Sequence, residues 1–95
     1  MMEIEREEHG RKGRFFIDED GERLAELTYV KSGDGEITID HTEVDPEFRG
    51  ENIGEDLVAE AVAFARENNL KIKATCPYAK KVLEEKSEFQ DVLSK

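Results

Sequence analysis

Residues 49–54 read Arg-Gly-Glu-Asn-Ile-Gly and stand between an extended run ending in Val44-Asp45-Pro46 and the start of a helical pattern. That outline suits an anion. Successive backbone N–H groups at the head of a helix lack intrahelical partners, and the helix dipole adds positive potential there. The same stretch is crowded with acids, because Glu47, Glu51, Glu55 and Asp56 surround the place a phosphate would occupy. Main-chain donors make side-chain identity secondary, yet these acids weaken any anion by long-range repulsion. A strand-to-helix corner that uses two glycines explains the same residues without a ligand.

Cys76 is the single cysteine and stands directly before Pro77, which suits the first position of a helix. A thiol near a helix N-cap is biased toward thiolate, so Cys76 can serve as a nucleophile or a proton donor. Its parity with Ile72 and Ala74 suits a buried structural cysteine equally well. Histidine is the side chain whose ordinary pKa lies near neutrality, which makes His41 the natural base. By strict alternation it shares a strand face with Ile37, Ile39 and Glu43, where a core histidine is the plainer reading. If the two strands are neighbours, His41 approaches Cys76. His9 lies in a charged N-terminal stretch and is expected to be inert. His9, His41 and Cys76 lack metal-ligand spacing, so no metal is expected.

The elements that must position these groups fit one domain spanning residues 1–95, since folded units run from about 50 to 200 residues. Charged residues make up 40% of the chain, but the apolar positions are periodic, which separates it from a disordered segment. The net charge of −10 argues against nucleic acid or an anionic membrane as a partner, and it suits cationic substrates such as amines. The acidic start, "MMEIEREEHG", has no apolar core of the kind a signal peptide needs. A single cysteine gives no internal disulfide, and a cytoplasmic location is the expectation. A monomer is expected too, with a free strand edge as the route to a dimer.

Phe15–Ile17, the turn "DEDG" and a strand with Ala25, Leu27 and Tyr29 on one face read as a hairpin. "KSGDG" at 31–35 reads as the next turn and "EITIDHTEV" as a third strand. Ile53, Leu57, Ala61, Phe64, Ala65 and Asn68 then fall at helical spacing, widened by Val58 and Val62. "ENN" ends that helix, "LKIKATC" alternates as a strand, and "PYAKKVLEEK" follows as a second helix. Ser87 is placed to cap a last turn that holds Phe89, Val92 and Leu93. The order is β-β-β-α-β-α, a mixed α/β fold with an antiparallel sheet and one parallel strand after a crossover helix.

With that order, "VDPEFRGENIGEDLVAEAVAFA" resembles the acyl-CoA-binding core of the GNAT superfamily of N-acetyltransferases, over roughly residues 14 to 93. The short length, "DHTEV" and "CPYAKK" resemble its small single-domain subgroup, the YjdJ type. Asn52 stands where the family has glycine, and Asn is the residue best able to keep a left-handed backbone there. A tight hairpin replaces the helices that shape the acceptor site in full-size members, leaving an open groove. The resemblance implies that the amides of residues 49–54 (Arg49, Gly50, Glu51, Asn52, Ile53, Gly54) hold the pyrophosphate of coenzyme A, with Arg49 adding charge. It implies that the Val44 N–H meets the thioester carbonyl and that Lys80 and Lys81 lie near CoA phosphates. It further implies Glu43 as an alternative base acting through water, and Tyr78 as a donor to the CoA sulfur. The implied activity is acetyl transfer from acetyl-CoA to a small-molecule or peptide amine through His41, Cys76 and Tyr78. The rival expectation is a module of the same fold that holds CoA or a protein partner without turnover.

Overall fold

The computed structural model describes residues 3–48, 50 and 52–94. A five-stranded sheet runs in sequence order: β1 (Glu5–His9), β2 (Lys12–Glu19), β3 (Glu22–Gly33), β4 (Glu36–Val44) and β5 (Lys71–Ala74). The first four strands pair antiparallel and β5 adds parallel to β4 after the crossover helix α1 (Ile53–Glu67). Helix α2 (Pro77–Glu85) follows β5, and a 3-10 segment, Ser87–Val92, closes the chain. The mixed α/β architecture is therefore as read, with one strand more.

That extra strand, β1, has the sequence EREEH, which offers no apolar alternation to read. Ion pairs and a tyrosine hold it instead. Glu7 meets Arg14 of β2 (3.3 Å), and Glu8 meets Lys31 of β3 (3.0 Å) and accepts from the Tyr29 hydroxyl (2.9 Å). Strand β2 starts at Lys12 rather than Phe15, and β3 runs through Lys31–Gly33, which the sequence suggested were turn. The turn itself is Asp34-Gly35, with Gly35 at φ +75°. The Asp20-Gly21 turn matches its reading: φ of 50° and 81° at successive residues is the left-handed pair that a two-residue hairpin needs.

One sheet face is apolar. Phe15, Leu27, Tyr29, Ile37, Ile39 and Ile72 form a single core with Leu57, Val58, Ala61 and Val62 of α1 and Ala79, Val82 and Leu83 of α2. The opposite face stays wet, with Arg14 bridging Glu7 and Glu26, and the Arg23 guanidinium 4.2 Å above the Phe16 ring. Asn68 leaves the apolar stripe and caps α1, bonding back to the Phe64 carbonyl (2.8 Å). Phe89 and Val92 are buried as expected, but Lys86, not Ser87, occupies the cap position before them. Leu93 bridges to Ile72, and Ser94 donates to the Ile72 carbonyl (2.8 Å), so the chain's end covers the outer edge of β5.

Candidate functional site

The site begins where β4 and β5 part. Their parallel register ends at Ile39–Ala74, and the amides of Thr75 and Cys76 both converge on the Ile39 carbonyl, at 2.9 and 3.3 Å. Immediately beyond, β4 carries a bulge. Tyr29 faces Ile39 while Thr28 faces His41, so Asp40 is an extra residue, and the Thr28 hydroxyl bonds its carboxylate (2.6 Å).

The bulge reverses parity. Thr42 and Val44 fall opposite Leu27 and Ala25 on the core face, while His41 and Glu43 fall opposite Thr28 and Glu26 on the wet face. The sequence reading that put His41 and Glu43 on the face of Ile37 and Ile39 is thus corrected. His41 is exposed and meets its neighbour Glu43, Nε2 to Oε2 at 3.2 Å. The approach of His41 to Cys76 is corrected with it. The Cys76 thiol donates instead to the Thr42 hydroxyl, at 3.6 Å. Thr42 is the site residue that alternation missed. Its signal was the step from a spacing of two (Ile37, Ile39) to a spacing of three before Thr42.

A groove of about 650 Å³ opens at this parting. Residues 41–44 form one wall, while Phe48, Gly50, Asn52, Ile53 and Gly54 form a second and Tyr78 of α2 a third. Asp45 donates to the Leu24 carbonyl (2.8 Å), so the ladder's alternation turns the N–H groups of Val44 and Thr42 away from β3, toward the groove. At the head of α1, Gly50 (φ +93°) and Asn52 (φ +60°) both take left-handed backbone, so asparagine keeps the turn as expected. Asn52 makes no side-chain cap bond. The first helical bond is Asp56 N–H to the Asn52 carbonyl (3.0 Å), which leaves the amides of residues 53–55 without a helical acceptor.

Most of the expected residues gather at the groove. Val44, Gly50, Asn52, Ile53, Gly54 and Tyr78 line it, as do His41 and Glu43 at its wet rim. Arg49 and Glu51 lie outside the described residues. Cys76 is buried beneath, 8% exposed, as the residue before α2. Lys80 and Lys81 are exposed one turn further along α2, and Lys80 lines a different crevice, between β5, α2 and Leu93. Glu55 is half-buried and paired with Lys86 at 3.6 Å, and Asp56 points to solvent. Burial pushes the Tyr78 phenol above its ordinary range, and the charges of Glu55, Asp56 and Cys76 push the same way. The phenol therefore stays a loaded proton donor at neutral pH.

Comparison with known proteins agrees with this geometry. Residues 14–92 match the GCN5-related N-acetyl-transferase family. Protein NATD1 of Xenopus tropicalis is 38% identical over 82 residues, covering 84% of this chain and 75% of that protein. A GCN5-like protein from Staphylococcus aureus, solved by NMR, superposes with a TM-score of 0.77 at 42% identity, covering 98% of this chain and 88% of that one. A streptothricin acetyltransferase candidate from Bacillus anthracis, solved in complex with acetyl coenzyme A, shares the fold. Its TM-score is 0.59 at 19% identity, covering 70% of this chain and 38% of that one. A family match over most of the chain, on a sheet that parts beside a glycine-turned helix head, places this protein in the GCN5-related N-acetyltransferase family.

Proposed function

We propose that the protein binds acetyl-CoA in the groove and transfers the acetyl group to a primary amine. The observation that carries this reading is the parting of β4 from β5 beside the α1 head, where main-chain donors from both elements face one cavity. The amides of residues 50–54, with Arg49, take the pyrophosphate. The Val44 N–H meets the thioester carbonyl and stabilises the oxyanion as it forms. Lys80 and Lys81 sit farther along α2, so their part is long-range attraction.

The wet rim supports a reading of the remaining steps. The amine nitrogen attacks the carbonyl carbon from the His41 and Glu43 side, and its proton passes to His41, oriented by Glu43. The C–S bond breaks, and the Tyr78 phenol protonates the departing thiolate. One proton is lost by the amine and one gained by coenzyme A, so the exchange balances. A second route has its own observation. Cys76 stands at the head of α2 with its thiol held by Thr42, a placement suited to accepting the acetyl group first.

An amide NMR titration with acetyl-CoA, followed by mass spectrometry, tests both. Shifts centred on residues 42–44, 50–54 and 78 support the groove as the binding site. An added acetyl mass on Cys76 selects the two-step route, and turnover of a test amine without that mass selects direct transfer. No shifts at millimolar acetyl-CoA would overturn the proposal and leave "RGENIG" as a corner.

A further inference from the structure

Gly54 is the second residue of α1 and has ordinary helical backbone, so no left-handed turn requires a glycine there. Glycine inside a helix is less stable than alanine. What its missing side chain leaves is space, and that space is taken. A Cβ on Gly54 would stand 2.6 Å from the Tyr78 hydroxyl oxygen and 2.9 Å from two of its ring carbons. Tyr78 is also the one large apolar side chain left exposed among the described residues, at 42%. Core burial therefore does not fix its ring. Its hydroxyl end lies instead in the space that a Cβ on Gly54 would fill.

We propose that Gly54 is a positioning residue for Tyr78: it seats the phenol at the head of α1 and sets where the hydroxyl meets the groove. Both residues line that groove, so a shift of the ring by one methyl radius moves the hydroxyl relative to anything bound. Gly50 differs. It needs positive φ, and a Cβ there would meet nothing within 4 Å. The two glycines, one before α1 and one inside it, thus serve separate ends, a turn and a seat. The functional half of the proposal rests on the proton-donor reading of Tyr78; the contact itself does not.

Two readouts keep these halves distinct. In thermal unfolding, Gly54→Ala in the Tyr78→Ala background should raise Tm by on the order of 4 °C through helix propensity. With Tyr78 present that gain should shrink or reverse, and equal gains in both backgrounds would overturn the seat. In acetyl transfer, Gly54→Ala should lower kcat about as far as Tyr78→Phe, on the order of 100-fold, with KM for acetyl-CoA within about threefold. The double variant should be no slower than Tyr78→Phe alone, and losses that multiply would overturn the positioning role. A wild-type protein without turnover would remove the proton-donor reading, while the melting cycle would still decide whether Gly54 is the seat.

Discussion

The two halves of β4 have opposite duties. Residues 36–39 pair on both edges, with β3 and β5, and bury Ile37 and Ile39 completely. Residues 41–44 pair only with β3, turn the amides of Thr42 and Val44 to a groove and expose His41 and Glu43. One extra residue, Asp40, separates them. A strand that is regular on both edges has no main-chain groups to offer a ligand. Parting from β5 frees those groups, and the bulge chooses which side chains accompany them.

Deleting Thr42 should break the contrast most severely. With the bulge at Asp40 kept, Glu43 would take the core-face position opposite Leu27 and Val44 would turn to the wet face, and buried charge would cost on the order of 3 kcal/mol or more. A lowered denaturation midpoint with no acetyl transfer is the expected result; a native midpoint would show that parity there is unimportant. The halves should also differ in what a side chain controls. Ile39→Ala should cost about 2–5 kcal/mol in urea unfolding. His41→Gln and Glu43→Gln should stay within about 0.5 kcal/mol of wild type yet lose rate, on the order of 100-fold for His41.

A pH profile sharpens the electrostatic side. Because burial and the acids beside it raise the Tyr78 phenol, the proton is present throughout the neutral range and is lost only above the ordinary tyrosine pKa of about 10. Loss of the Tyr78 proton should therefore leave the rate untouched through neutrality and lower it at strongly alkaline pH. Paired Glu55→Gln and Asp56→Asn should move that fall to lower pH, and Tyr78→Phe should remove it while lowering the plateau. The smallest effect belongs to Thr42→Val, which takes away the acceptor of the Cys76 thiol. A stability change below about 1 kcal/mol is expected, with faster alkylation of Cys76 as the check that the thiol has been released.

Legibility followed the same division. The Asp20-Gly21 turn, α1 and the left-handed Asn52 could be read because each depends on residues within a few positions of one another. Strand β1 could not, since its residues are nearly all charged and two of the side chains that hold it, Tyr29 and Lys31, lie far along the chain. The pairing of His41 with Cys76 failed for a related reason. Alternation extrapolates correctly until an extra residue intervenes, and the three-residue step from Ile39 to Thr42 marks Asp40 only faintly because threonine suits either face.

By itself the sequence determined the order of elements from β2 onward, the glycine-and-asparagine turn into α1, the helix start at Pro77 and an apolar face for each of those elements. Local backbone preference and period decide those features. Only the tertiary structure decided that Thr42, not His41, meets Cys76, that Lys80 lies away from the groove, and that Gly54 carries Tyr78. Those are contacts between segments, and a segment's pattern specifies which face is buried without specifying which atoms it will meet.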